Sequence, residues 1–320
     1  MTFVLLAATA ALASFAIVDT AASAALALTF RFAGGRLDRY SPSSRSAVIF
    51  RLRVLPALMA VICGFGISLP VFVAFEPFDT DEPVSRTLVV IAFAGLAVLC
   101  RAGWHAWAAW RDTLRVSRHW QGRGRRLDAR DIGVTTTLPV FAIDAAFPTV
   151  AVVGMVRPVL FVAERVLAEC PMDEIRAMIA HESAHVSSCD NVKRFLLRGC
   201  PDLLGRRSAV TRAWSAAAEE AADAVAVGTR PGCALDLAQA LIRVARLAPA
   251  SVPELASSFY PGGDIERRVR RLIDPVQAPD VPVVLGRWLF WSAGFALVTA
   301  SVLLAPTLHQ VMEALVRIVP

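Results

Sequence analysis

The segment 181–185, with the sequence HESAH, contains the residues whose types and spacing are best suited to chemistry. His181 and His185 are four residues apart, so on a helix both imidazoles lie on one face and can bind one metal ion. Glu182 follows the first histidine and can take a proton from a zinc-bound water, which makes hydroxide available near neutral pH. The spacing therefore predicts a zinc peptidase site, with Zn²⁺ as cofactor, His181 and His185 as metal ligands and Glu182 as the general base.

A third protein ligand must come from elsewhere, because a catalytic zinc usually has three and keeps its fourth position for water. No histidine lies between His185 and His309, so the missing ligand is expected to be acidic. The stretch AAAEEAAD at 216–223 offers such side chains on a predicted helix. Glu219 and Asp223 share one face of it. We predict Glu219 as the third ligand and Asp223 as the acceptor for the free ring N–H of a liganding histidine, which fixes the tautomer of that ring.

Other interpretations of these residues stay open. Alanine-rich helices with acidic residues are often only solvated faces, and Glu220 points roughly 100° away from Glu219 on a helix. Cys189 and Cys200 are close enough in sequence to be extra ligands, but zinc with two histidines prefers a carboxylate when it keeps a position for water. The six cysteines show no paired spacing, so we expect no disulfides.

The composition predicts a membrane protein. Of the 320 residues, 56% are hydrophobic and only 19% are charged, and the mean hydropathy is +0.55, which is too apolar for an ordinary soluble domain. Four segments have the roughly 20 apolar residues that cross a bilayer. They are about Phe3–Leu28, Val54–Phe75, Leu88–Trp110 and Trp288–Leu308.

These spans divide the chain into three parts. Residues 1–110 are expected to hold three transmembrane helices and a basic loop, and residues 288–320 the fourth transmembrane helix and a short external tail. Residues 111–287 between them have the size of one compact domain. The predicted fold class is therefore a mainly α-helical membrane protein with four transmembrane helices and one α+β, zincin-like protease domain between the third and the fourth.

The arginines predict the orientation of the spans. Six of them lie in or near the loop after the first span, whereas the loop after the second has four acidic residues and Arg86. The positive-inside rule therefore places the first loop and the domain 111–287 in the cytoplasm. The net charge of +6 could also suggest nucleic acid, but arginines directly after a span are what this topology requires, so no direct nucleic-acid contact is expected. Residues 1–30 could instead be a cleaved signal peptide, since Ala22-Ser23-Ala24 resembles a cleavage site.

Patterns within the domain predict a small sheet followed by helices. Residues 138–162 are rich in Val, Phe and Ile with Pro and Gly breaks, which predicts two or three short strands. Acidic first turns and apolar spacing predict helices over Glu174–Ser187, Arg212–Thr229 and Leu235–Leu247. The segment 260–274 is predicted to be a turn followed by a basic helix.

Three segments resemble the BlaR/MecR family of integral-membrane zinc metallopeptidases: GMVRPVLFVAERVL at 154–167, DEIRAMIAHESAHVSSCDN at 173–191 and EEAAD at 219–223. The resemblance implies a bacterial inner-membrane protein with three spans, a cytoplasmic protease domain and a fourth span. It also implies the ligand and base roles given above, and it makes Asp190 a recurrent aspartate, which we interpret as a structural polar contact. The expected substrate is a cytoplasmic or membrane-proximal protein, such as a transcriptional repressor or the protease itself. No Ser-x-x-Lys acylation motif follows the fourth span, so we expect no beta-lactam binding.

Membrane peptidases of the HtpX and CAAX-protease type share the same metal pattern and carry a His-Pro before an arginine-containing helix. Tyr260-Pro261 with Arg268 resembles that element, so Tyr260 is a candidate donor to the oxyanion of the reaction, although a tyrosine packed beside a proline turn is the alternative. Two other functions stay open: a membrane-protein quality-control protease, and a non-catalytic membrane signalling scaffold in which the metal only stabilises the fold. Homo-oligomerisation also stays open.

Overall fold

The computed structural model describes residues 2–75, 85–128, 130, 132–134, 136–145, 147–202, 205, 208–230, 232–247, 262–275 and 279–280. The described chain is mostly helical, with one small mixed sheet. Its first four helices are α1 (Thr2–Ala33), α2 (Pro42–Val61), α3 (Leu69–Phe75) and α4 (Arg86–Arg123). A π-helical segment, Ile62–Ser68, joins α2 to α3.

Three of the described helical stretches are long and apolar enough to cross a membrane: Phe3–Arg39, Pro42–Phe75 and Arg86–Arg123. They contain the first three predicted spans, and each extends beyond the predicted apolar core at one end or both. The predicted fourth span, Trp288–Leu308, lies outside the described residues. The structure therefore supports a membrane protein with three candidate spanning helices.

Two glycines let these helices pack closely against α1. A Cβ atom at Gly95 of α4 would lie 2.6 Å from the backbone oxygen of Leu12, and one at Gly64 would lie 2.8 Å from that of Ala11. A larger residue at either position would push the backbones apart. The two glycines therefore allow the close packing that small residues commonly give between helices in membranes.

The sheet lies between α4 and the helices that follow it. Its strands are β1 (Arg125–Leu127), β2 (Val140–Ile143), β3 (Val150–Val153) and β4 (Val159–Ala163), in the order β1-β2-β4-β3. β2 and β4 are parallel, with Val140 opposite Leu160, and the other two pairs are antiparallel. The last three strands lie where residues 138–162 predict them. β1 was not predicted, because a short, exposed strand with two arginines has no alternating apolar pattern.

Among the described residues, six helices follow the sheet: α5 (Glu164–Glu169), α6 (Met172–Ser187), α7 (Asp190–Gly199), α8 (Ser208–Val227), α9 (Cys233–Leu247) and α10 (Gly262–Ile273). α6, α8 and α9 match the predicted helices to within about four residues at their ends. α10 matches the predicted basic helix. α7 was not predicted.

The core of the domain places α6 against the sheet. Buried apolar side chains from β2, β3, β4, α6 and α9 form one cluster that includes Val140, Leu160, Val162, Ile175 and Ile179. α8 packs against α6 and also against α2, the second candidate membrane helix. α8 and α7 therefore both connect α6, the helix that carries HESAH, to the membrane part, by which we mean helices α1–α4.

Candidate metal centre

Both histidines of the HESAH segment lie on α6 and are buried. The centroids of their rings are 4.7 Å apart, and the ring planes are nearly perpendicular, at 88°. This is the one-face arrangement that the four-residue spacing predicts.

Glu219 brings a carboxylate from α8 to the same point. Its Oε2 lies 3.4 Å from Nε2 of His181, and its Oε1 lies 3.5 Å from Nε2 of His185. The ligand atoms of the three residues all lie within 4.8 Å of one another, so they can hold a metal ion. Among the described residues this is the group suited to a metal, and neither Cys189 nor Cys200 belongs to it.

The other ring nitrogens face carboxylates. Oδ1 of Asp223 lies 2.9 Å from Nδ1 of His181, and Oδ2 of Asp190 lies 2.8 Å from Nδ1 of His185. A carboxylate beside Nδ1 favours the imidazole tautomer that is protonated at Nδ1. The lone pair of Nε2 is then available for a metal. Asp223 lies beside the ring that it was predicted to orient, at ion-pair distance but without the geometry of a hydrogen bond. Asp190, which was predicted as a structural polar contact, makes a hydrogen bond with Nδ1 of His185.

Two arginines hold the carboxylates of α8. Buried Arg268, on α10, donates from Nε and Nη2 to Asp223, both at 2.7 Å, and from Nη1 to Glu219 at 3.2 Å. Arg194, on α7, donates to Oε1 of Glu219 at 2.8 Å. The paired donors of Arg268 fix the carboxylate plane of Asp223 as a bidentate contact does. The candidate oxyanion donor Tyr260 lies outside the described residues.

The neighbouring charges shift the pKa values of the two histidines and of Glu219. Burial disfavours the imidazolium of His185, but the Asp190 and Glu219 carboxylates outweigh it and raise the pKa of His185 to about 9. The pKa of His181 is raised in the same way, by Asp223 and Glu219 against the effect of burial. Burial opposes ionisation of Glu219 too, but the two histidines hold the pKa of Glu219 well below its usual range. The site therefore concentrates negative charge where a cation would bind.

Glu182 lies on the strand side of this group. Its Oε2 accepts a hydrogen bond from the backbone N–H of Val152, on β3, at 3.0 Å. Glu182 and both histidines line a cavity of about 720 Å³ that also borders β3, α7, α9 and α4. The candidate base and the metal-ligand group therefore line the same cavity.

Glu220 lies outside the site, as its position on the helix predicts. Its buried carboxylate pairs with Arg45 of α2 and with Arg271 and Arg267 of α10, the last at 2.9 Å. Arg45 also pairs with Asp38 at 2.8 Å. Glu220 therefore joins α8 to the membrane part rather than to the metal-ligand group.

Sequence reasoning did not find the roles of Asp190 and Arg194. Both depend on a sharp reversal after α6, where Cys189 has a left-handed backbone with φ of 56°. This turn brings the start of α7 back over the end of α6. The signal that could have found it is the pair of charged residues, Asp190 and Lys193, one turn apart after a short SSC segment.

No model of a known protein family matches this chain, and no curated protein matches it significantly. The functional interpretation therefore depends on the geometry of His181, His185, Glu219 and Glu182, and on the contacts that orient them.

Proposed function

We propose that this chain is an integral-membrane zinc metalloendopeptidase. His181, His185 and Glu219 would hold Zn²⁺, and Glu182 would be the general base. The observation that carries the proposal is that two Nε2 atoms converge on one carboxylate while both Nδ1 atoms face aspartates. A histidine pair that served only packing would need no such orientation of both rings.

The donor set fits zinc rather than a harder cation. Two imidazoles and one carboxylate are a usual ligand set for catalytic zinc, whereas magnesium and calcium prefer oxygen alone. The set also supplies three protein ligands, the number that leaves a position for water or substrate. The intact Glu182 beside it favours a catalytic over a purely structural metal.

Each residue of the site then has a separate role in peptide hydrolysis. A Zn²⁺ ion held by His181, His185 and Glu219 would supply Lewis-acid chemistry for the scissile carbonyl and for water. Glu182 accepts the proton of the attacking water and passes it to the amine as the C–N bond breaks. Asp223 and Asp190 keep the two imidazoles in the tautomer that can bind the metal.

The surroundings of the cavity favour an extended peptide near the membrane as substrate. β3 is an edge strand, so its outer side can pair with an added strand. The cavity also borders Asp112, Val116 and Trp120 of α4, the third candidate membrane helix. Together with the resemblance to BlaR/MecR peptidases, this supports a cytoplasmic or membrane-proximal protein, such as a repressor or the chain itself, as the substrate of a signalling protease with its domain in the cytoplasm.

The test uses the full chain in detergent micelles with zinc, and measures cleavage of fluorescein-labelled casein and of its own chain. We expect chelator-sensitive cleavage, and we expect Glu182→Gln to keep its zinc but to lose about 100-fold or more in rate. Glu164→Gln is the matched control, because its exposed carboxylate pairs only with exposed Arg125. Zinc binding by the wild type without cleavage of either substrate would contradict the proposal and favour a scaffold.

A further inference from the structure

The outer side of β3 is already occupied by two side chains. The N–H of Val152 donates to Glu182 at 3.0 Å, and the C=O of Val152 accepts from Nδ2 of Asn191 at 3.1 Å. Nδ2 of Asn191 also donates to the C=O of Gly154 at 3.1 Å. The N–H and C=O of Val152 point away from β4, with which β3 pairs on its other side, whereas Gly154 follows the end of β3 and has a positive φ of 115°. The edge of the sheet that borders the cavity is therefore closed by one residue from α6 and one from α7.

Asn191 is well suited to this position. It is the only asparagine in the chain, and it lies in the first turn of α7, directly after Asp190. An amide NH₂ has two donor hydrogens, one for each of the two carbonyls. Its side chain is half-buried and lines the same cavity as the metal-ligand group.

The occupied groups are those that an added peptide strand would use. In an antiparallel pair, one residue exchanges both of its backbone hydrogen bonds with the residue opposite, and the next such pair follows two residues along. A peptide residue opposite Val152 would need its N–H and its C=O. Glu182 takes the place of the peptide carbonyl, and Asn191 takes the place of the peptide N–H while it also holds the C=O of Gly154, just after the strand.

We propose that Asn191 closes the β3 edge in the free protein and that an extended peptide binds by displacing its amide. This inference depends on the proposed function for the identity of the ligand as a peptide. Asn191 is then a positioning residue whose hydrogen bonds compete with the substrate. An asparagine that only held β3 in place would have the opposite effect, because its loss would weaken binding.

Binding to the full chain in detergent micelles tests this without any cleavage. The probe is fluorescein-labelled, oxidised insulin B chain, an unstructured peptide, measured by fluorescence anisotropy in the presence of EDTA. We expect Asn191→Leu, which has a similar size but no donors, to bind the probe about two- to tenfold more tightly, since one or two hydrogen bonds no longer compete. Asn191→Asp, which also lacks the donors, should do the same. Gln239→Leu removes an exposed amide on α9 and should leave the affinity unchanged.

Thermal unfolding identifies which variants are folded. Two different variants are used so that the test still holds if one of them does not fold. Unchanged or weaker binding by a folded variant, including no binding by any protein, would overturn the proposal. Because the assay contains no zinc, its result is independent of the cleavage assay. If the wild type cleaves casein but the Asn191 variants bind the probe no more tightly, the proposed function stands and this inference is wrong. If the Asn191 variants bind the probe more tightly but the wild type cleaves nothing, this inference stands and the proposed function is wrong.

Discussion

Glu219 and Glu220 are neighbours on α8, and both pair with arginines, yet they face different parts of the molecule. Glu219 also faces two imidazoles, and its side chain is 23% exposed, to the cavity. Glu220 faces only guanidinium groups, and its side chain is 2% exposed. The comparison shows that a buried, charge-paired carboxylate is not by itself a functional site. What distinguishes Glu219 is the orientation of the two histidines and the open space beside it.

The two carboxylates also show how α8 is positioned. On one side Glu219 and Asp223 meet α6 and Arg268, and on the other side Glu220 meets Arg45 of α2. A rotation of α8 that moved Glu219 away from the histidines would also separate Glu220 from its arginines. The arginine cluster around Glu220 therefore helps to fix the rotation of the helix that carries Glu219, the candidate third ligand.

The largest expected effect tests the structural role of Glu220. Glu220→Gln leaves Arg45 without its buried carboxylate partner, and breaking such a pair typically costs about 3–5 kcal/mol of unfolding free energy. Denaturant titration in detergent micelles, followed by circular dichroism, measures this loss.

Glu219→Gln is the matched variant at the neighbouring position. Because Arg268 would still pair with Asp223, we expect a smaller loss of stability than for Glu220→Gln. We expect zinc affinity to fall by more than about 100-fold, which exceeds the loss typical of a residue that contacts only a ligand and not the metal. If Glu220→Gln lost zinc while remaining as stable as the wild type, the assignment of the two glutamates would be reversed.

A second prediction uses pH, since Glu219 faces His185, whose pKa is raised, whereas Glu220 pairs with guanidinium groups. The pKa of His185 is raised to about 9, against about 6.5 in an unfolded chain. Its stabilisation of the metal-free protein is therefore complete below pH 6.5 and is lost as the pH rises through about 9, on the order of 3 kcal/mol in all.

Thermal unfolding in EDTA from pH 6 to pH 10 measures this loss. His185→Gln should remove most of the dependence, whereas Glu220→Gln should lower stability by the same amount at each pH in this range. Zinc affinity should change in the opposite direction and rise with pH, because the metal binds the neutral imidazole. A metal-free wild type equally stable at pH 6.5 and pH 9.5 would contradict the charge arrangement around His185.

The sequence predicts the site as far as helical periodicity reaches. The pairing of His181 with His185 and of Glu219 with Asp223 follows from positions four apart on single helices. The direction of Glu220 follows from the same periodicity, but its partner does not, because Arg45 is 175 residues away in sequence. The contact between α2 and α8 is a property of the folded chain alone.

The contacts made by α7 were also beyond sequence reasoning. Asp190 and Asn191 reach His185 and β3 because the backbone at Cys189 is left-handed, a conformation that nothing in the local sequence requires. Similarly, β1 has no apolar alternation and forms only because β2 offers it an edge. Local patterns thus predict which residues could act, whereas the turns decide which of them meet.

The smallest expected effect compares the two aspartates that orient the histidines. Asp223→Asn and Asp190→Asn should each lower zinc affinity by about 10- to 100-fold, because an asparagine can donate as well as accept and no longer fixes the ring tautomer. We expect the larger loss for Asp223→Asn, since Arg268 contacts both Asp223 and the candidate ligand Glu219, whereas Lys193 contacts Asp190 and the ring of Phe50.

Competition with a fluorescent zinc chelator measures these affinities. Asp236→Asn, on α9, is the control, because Asp236 pairs with Arg230 away from the metal-ligand group. Equal zinc affinity in the wild type and both variants would mean that the Nδ1 contacts do not orient the imidazoles for the metal. In that case Asp190 and Asp223 would resemble Glu220, as charges that position helices and contribute nothing to the ion.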